Sequence, residues 1–98
     1  MNITSKQRSV LKGIAMTEEA IFQIGRNGLS DEYIEAIAEA LEKRELVKIH
    51  VLKNNDDDKN ELANAIAERT GSLVVQVIGS KIVLFKYQHD PKKRKIDI

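Results

Sequence analysis

Residues 25–28, Gly-Arg-Asn-Gly, have the types and spacing best suited to binding chemistry in this chain. Glycine has no Cβ, so a polyanion can come close to the backbone, and the N–H groups of such a loop can donate to phosphate oxygens. Arg26 adds a positive charge and a two-pronged donor. The four residues therefore predict a cradle for an anionic backbone.

Two other interpretations of this loop stay open. Asn27-Gly28 is a typical type I′ hairpin pair, but a hairpin needs a strand after the turn, and the residues that follow have the period of a helix. The two glycines are also consistent with a plain bend between a strand and a helix, since glycine tolerates positive φ. The flanking pattern favours the cradle or the bend over the hairpin.

The elements beside the loop limit how a cradle can work. Residues 20–24 (AIFQI) are short and apolar, which is typical of a buried strand. On the other side, Ser30 is a good helix N-cap, and Asp31 and Glu32 occupy the first turn. These side chains already satisfy and neutralise the start of the helix. The loop amides and Arg26 must therefore supply most of the binding.

Basic side chains are predicted on two further elements. A first helix over residues 5–16 has an apolar stripe on one side, with Arg8 and Lys12 on the other. Residues 46–52 (LVKIHVL) alternate between apolar and polar, so they predict a second strand with Lys48 turned away from the buried side.

The rest of the chain completes the fold prediction. Asp58 is predicted to cap a third helix, with Glu61 as its capping-box partner. The preceding aspartates fail as a calcium loop, because Glu61 stands where an EF-hand needs glycine. SLVVQVI and KIVLFKY, joined by Gly79-Ser80, predict a hairpin. The order α-β-α-β-α-β-β predicts an α+β fold, a two-layer sandwich with a mixed four-stranded sheet that ends in a C-terminal antiparallel hairpin.

The composition narrows the function. A chain of 98 residues, 42% hydrophobic and 32% charged, predicts one domain over residues 1–88 and a basic, flexible tail over residues 89–98. There is no cysteine, and His50 and His89 are the only imidazoles, so we expect no metal site, cofactor, small-molecule substrate or catalysis. With no signal sequence and no apolar run of about 18 residues, we expect a cytoplasmic protein outside the membrane. We also expect a monomer.

Charge is distributed unevenly along the chain. The net charge is only +1, which gives no global signature of nucleic-acid binding. The outer side of the second helix is acidic, with Glu32, Glu35, Glu39 and Glu42. This surface is consistent with an alternative function, that of a protein-interaction adaptor. The tail segment PKKRK, residues 91–95, is consistent with a solvated tail, a supplementary phosphate contact or a nuclear localisation signal.

Three segments together carry a resemblance to a known family: SKQRSVLKGIA, FQIGRNGLSDEYIEAIAEALEKRELVKI and LVVQVIGSKIVLFK. Over residues 4–87 the chain resembles the CRM domain, named for chloroplast RNA splicing and ribosome maturation, and most closely its stand-alone bacterial YhbY-type form. The resemblance implies an α+β fold with a mixed four-stranded sheet and RNA binding through a GxxG loop. For the bacterial form it also implies association with precursors of the large ribosomal subunit, and so ribosomal RNA as the partner.

The expected RNA contacts combine the loop with basic side chains around it. They are Gly25, Arg26, Asn27, Gly28, Arg8, Lys12, Lys48, Lys86, Lys92, Lys93, Arg94 and Lys95. Arg26 stands where the family commonly has lysine, so the positive charge is kept, and Lys48 matches the lysine of its second strand. The sequence and the resemblance together predict a non-catalytic RNA-binding protein of ribosome assembly.

Overall fold

A computed structural model describes residues 2–98 and contains three helices and one four-stranded sheet. The elements are α1 (Ser5–Thr17), β1 (Phe22–Ile24), α2 (Asp31–Arg44), β2 (Leu46–Val51), α3 (Lys59–Thr70), β3 (Leu73–Ile78), β4 (Lys81–Phe85) and a 3-10 turn at Pro91–Lys93. The α+β class and the order of the elements are confirmed. β1 is shorter than the predicted strand over residues 20–24, a difference usual for strand ends.

The sheet has the strand order β1-β2-β4-β3. β1 runs parallel to β2, while β4 runs antiparallel to both β2 and β3. The hairpin between β3 and β4 turns at Gly79, whose φ of +55° is in the region that favours glycine. The predicted mixed sheet with a C-terminal antiparallel hairpin is therefore confirmed.

Side chains that cap their first N–H groups determine where the helices begin. Thr4 and Gln7 form a reciprocal capping box at α1, and Ser30 accepts from the N–H of Tyr33 at α2. Asp58 accepts from the N–H of Glu61 at 3.0 Å, which begins α3 where predicted. Local sequence signals therefore account for the start of every helix.

The three helices are divided between the two faces of the sheet. On β4, Ile82 and Leu84 point to the core formed with α2 and α3, whereas Val83 and Phe85 point to a second core that includes Leu11 of α1. Helix α1 therefore covers the face that α2 and α3 leave open. The sheet has helices on both faces, whereas the prediction was a two-layer sandwich. An apolar stripe shows that a helix packs, but it does not show on which face.

Both edges of the sheet carry a polar side chain. At β1, the Tyr33 hydroxyl accepts from the N–H of Gln23 at 2.7 Å and donates to the carbonyl of the same residue. At β3, the Arg8 guanidinium donates to the carbonyls of Val74 and Val75, at 2.9 and 2.7 Å, beside a break in the strand register. Four backbone groups on the outer strands are thus satisfied from within the chain.

Residues 89–98, predicted to be flexible, lie against the domain in the structure. Ile96 and Ile98 pack on the second core, and the Tyr87 hydroxyl donates to the carbonyl of Ile98 at 3.2 Å. A run of charges predicts a free tail, whereas the isoleucines behind it supply apolar surface to bury. The division of the chain into a domain and a tail stays a prediction.

Candidate functional site

Residues 25–28 form a tight turn at the junction of β1 and α2. The N–H of Gly28 donates to the carbonyl of Gly25 at 3.1 Å, and Gly28 has a φ of +67°. Arg26 and Asn27 occupy the two central positions and are exposed. Over residues 2–98, the N–H groups of these two residues have no hydrogen-bond partner in the protein. The turn thus presents two free donors and a guanidinium outward.

The loop between β2 and α3 supports this turn from one side. The Asn55 side chain donates to the carbonyl of Gly25 at 2.9 Å, and a Cβ added to Gly25 would lie 3.3 Å from Oδ1 of Asn54. A side chain at position 25 would therefore crowd this loop, while Gly28 is favoured by its backbone angle. The role of Asn55 was not predicted from the sequence. The one feature that could have indicated it is the pair of asparagines shortly after a strand.

The charge around the turn is mixed. The carboxylate of Asp57 would lie 3.8 Å from a Cβ on Gly28, and Asn55 donates to that carboxylate at 3.3 Å. At the start of α2, Asp31 is paired with Arg69 at 2.6 Å, which neutralises one acid beside the turn. An anion must therefore approach from the Arg26 side, away from Asp57.

Arg8 on α1 and Lys48 on β2 are predicted basic contacts whose donors are already engaged within the protein. Arg8 donates to carbonyls of β3, and the Lys48 ammonium donates to the carbonyls of Ala15 and Glu18, at 3.1 and 3.3 Å. Lys48 thus stabilises the C-terminal end of α1, where a cation is favoured. Lys12, in contrast, is exposed on α1, as predicted.

Lys86 is engaged as well. Its ammonium pairs with Glu42 at 2.8 Å and donates to the carbonyl of Thr70 at 3.3 Å. The hydrogen bond and the charge of Lys86 lower the pKa of the Glu42 carboxyl below its ordinary value. This pair neutralises part of the acidic side of α2.

The turn and the predicted contacts at the C-terminal end of the chain lie in two separate places. The 25–28 turn follows β1 beside the end of β2, since Ile24 pairs with Val51. Lys86 and the tail lie at the start of β2, where Leu46 pairs with Phe85. The length of β2 separates the two places by about 20 Å at about 3.3 Å per residue.

A row of paired residues near the turn, three of them polar, was not predicted. Gln23, His50, Lys81 and Ile78 pair in succession across all four strands. Because Lys81 alternates with Ile82, whose side chain faces α2 and α3, Lys81 lies on the face that α1 covers. Lys81 is thus a further cation at the same end of the sheet as the turn. Only the strand register places it there.

Two further observations concern ligands and membranes. Among residues 2–98, no group of three or more His, Asp or Glu side chains is arranged to hold a metal ion. In the same part of the chain, no helix combines the length and the apolar character needed to cross a bilayer.

The backbone angle at Gly28 leads to a testable prediction. Gly28→Ala places a Cβ at a φ of +67°, which costs about 1 to 2 kcal/mol, so Tm should fall by about 4 to 16 °C. Gly13→Ala is the matched control, because Gly13 lies within α1 and a Cβ there meets no atom within 4 Å. This control should raise stability by about 0.5 to 1 kcal/mol. Thermal unfolding of both variants tests whether the positive φ requires glycine at position 28. Equal shifts in Tm for the two variants would contradict this.

The fold and the turn together define a class, the small α+β domains that present a GxxG turn between an edge strand and a helix. The family follows from comparison with known sequences. The model of the CRS1 / YhbY (CRM) domain matches residues 3–86, so the chain belongs to this family. The resemblance inferred from the sequence is confirmed.

Individual relatives agree over nearly their full lengths. The chain is 44% identical over 91 residues to the "Probable RNA-binding protein YqeI" of Bacillus subtilis, covering 93% of this chain and 95% of that protein. It is 32% identical over 90 residues to a Haemophilus influenzae protein named "RNA-binding protein", covering 92% and 91% of the two chains. The solution structure of SAV1595 from Staphylococcus aureus matches with a TM-score of 0.79 and 44% identity over 98% of this chain and 100% of that one.

Proposed function

We propose that this protein is a non-catalytic RNA-binding protein that docks on structured RNA through the turn of residues 25–28. The observation that carries the proposal is the exposed pair at the centre of the turn, Arg26 and Asn27, whose N–H groups are open to an outside acceptor. Phosphate oxygens suit such donors and an arginine. Membership of the CRM family and the RNA-binding names of two relatives support the proposal.

The proposed interface continues from the turn along one end of the sheet. Lys81 and the exposed Lys12 carry positive charge on the face that α1 covers, and we add them to Arg26 as phosphate contacts. Arg8 and Lys48 contribute mainly by holding the edge of β3 and the end of α1, because their donors are already engaged.

The finer proposal concerns the RNA. The resemblance to the stand-alone bacterial form supports ribosomal RNA in precursors of the large subunit as the partner. The sequence offers four aromatic side chains, and Phe85 is fully buried, so recognition should rest on RNA shape and backbone more than on stacked bases. A cytoplasmic location and a monomeric state stay predictions.

Binding through several phosphates should depend steeply on salt. The contacts of Arg26, Lys12 and Lys81 alone predict a slope of about −2 to −3 in a plot of log affinity against log salt concentration, and further phosphate contacts make the slope steeper. We would measure it by fluorescence anisotropy with a fragment of large-subunit ribosomal RNA and an unstructured RNA of equal length. Tighter binding of the structured fragment, with a slope at least this steep, supports the proposal. Absence of binding to either RNA would overturn it.

The alternative, a protein-interaction adaptor using the acidic side of α2, is weakened by ion pairs on that side. Glu39 pairs with Lys43 at 3.4 Å, and Glu42 pairs with Lys86 at 2.8 Å. All four acids are exposed, and among residues 2–98 Glu32 and Glu35 are the two of the group that form no ion pair. A surface with half of its charges paired within the chain is a weaker attractor for a basic partner.

A further inference from the structure

Glu45, the residue that follows α2, is the fully buried charged side chain among residues 2–98, at 1% exposure. Its carboxylate accepts from three backbone N–H groups of the C-terminal segment: from Lys95 at 2.6 Å, Ile96 at 2.9 Å and Gln88 at 3.1 Å. A buried carboxylate is tolerated when donors satisfy it, and here the donors come from the segment that follows β4. The carboxylate therefore holds both ends of that segment.

The backbone at Glu45 is a second, independent observation. Its φ of +66° makes it the one non-glycine residue with positive φ among residues 2–98, at a helix end where glycine is the usual choice. A residue with a Cβ is disfavoured there. A side chain at such a position needs a reason, and the three hydrogen bonds of the carboxylate supply one.

The held segment carries four consecutive basic residues, residues 92–95, all of them exposed. Arg94 lies 5.0 Å from the centre of the Tyr87 ring and donates to the carbonyl of Gln88 at 2.9 Å. Lys43 and Glu42, from the last turn of α2, line an open cleft together with residues 92–95. Lys43 also pairs with Glu39 at 3.4 Å on the exposed side of the helix, and the charge of Glu42 is offset by Lys86. Over residues 2–98, no lysine of the segment forms an ion pair within the chain.

We infer that the Glu45 carboxylate fixes residues 88–96 so that residues 92–95, with Lys43, form a second binding surface for RNA phosphates at the end of α2. This inference rests on the proposed function. The first surface lies at the other end of α2, a helix of 14 residues and hence about 21 Å long. One phosphate cannot reach both surfaces, so an RNA that contacts both must span the molecule. The tail then acts as a fixed part of the interface. The conformational entropy of ordering it is lost when the protein folds and does not weaken RNA binding.

The first test is Glu45→Gln, with Glu35→Gln as the matched control. Both variants remove one negative charge from or beside α2, and Glu35 is exposed. The charge change alone should strengthen RNA binding slightly in both. Loss of the carboxylate in Glu45→Gln should instead weaken binding about 3- to 10-fold, while NMR shows faster motion and hydrogen exchange at Lys95 and Ile96. Affinity that rises equally in both variants would overturn the inference.

A double variant in the basic segment keeps the test independent of folding at Glu45. Lys92→Glu with Lys93→Glu changes exposed side chains only, and should weaken RNA binding and make the salt slope about one to two units shallower. Glu45→Gly also removes the carboxylate but relieves the positive φ, so it should free the tail with a smaller loss of Tm than Glu45→Gln shows. If the double variant kept its RNA affinity while a charge reversal at Arg26, Arg26→Glu, lowered it, the second surface alone would be overturned. No RNA binding by the wild-type chain would overturn both proposals.

Discussion

Arg26→Glu is expected to lower RNA affinity by about 10- to 100-fold while leaving Tm nearly unchanged. A hydrogen bond between charged groups contributes about 1.5 to 3 kcal/mol, and each 1.4 kcal/mol is a tenfold change in affinity. Arg26 is exposed, and its side chain makes no hydrogen bond within residues 2–98, so folding should not depend on it. Anisotropy titration with the ribosomal RNA fragment, and thermal unfolding of the same preparation, measure the two effects.

Two controls sharpen this experiment. Arg26→Lys keeps the charge but loses the bidentate fork, so it should retain most of the affinity. Lys6→Glu makes the same change of charge on the exposed side of α1, away from the turn, and should have a smaller effect. If Lys6→Glu weakened binding as much as Arg26→Glu, net charge rather than the turn would govern affinity.

Phe85→Ala should lower the free energy of unfolding by about 3 to 5 kcal/mol. Phe85 is fully buried in the second core, and its ring lies 5.0 Å from the ring of Tyr87 in an edge-to-face arrangement. The residue joins β4 to the region where α1 and the C-terminal segment pack, so its loss should loosen both. Urea denaturation followed by circular dichroism measures the change.

Phe22→Ala is the matched comparison for Phe85→Ala. Phe22 is half-buried at the edge strand and makes an edge-to-face contact with Tyr33 at 5.5 Å. A cavity at this edge can be reached by water and by neighbouring side chains, so the loss should be clearly smaller than at Phe85. Equal losses would mean that the second core does not carry the stability ascribed to it here.

Local signals in the sequence were sufficient for the elements of the fold. Ser30 and Asp58 cap helices where they were expected, and Gly79 turns the predicted hairpin. The face on which α1 packs could not be predicted, because the helical period is the same for either face. The seating of Ile96 on the second core was missed for a related reason, since a charged run masks the apolar residues behind it.

The candidate site was predictable only where it is local. Residues 25–28 are one continuous turn, so their types and spacing were enough to identify them. Asn55 and Lys81 join the site through loop packing and strand register, which a single sequence does not reveal. A single sequence also does not reveal that the strand register places Lys86 about 20 Å away from the turn.

The side chains on the two outer strands affect how this protein meets other proteins. An open strand edge is a template for adding a strand from another chain, and such pairing leads to edge-to-edge polymerisation. Tyr33 occupies a backbone pair on β1, and Arg8 occupies two carbonyls on β3. We expect these two side chains to block the addition of a strand at either edge, so the protein should not polymerise at high concentration. We also expect a protein partner to bind through side-chain contacts rather than by extending the sheet.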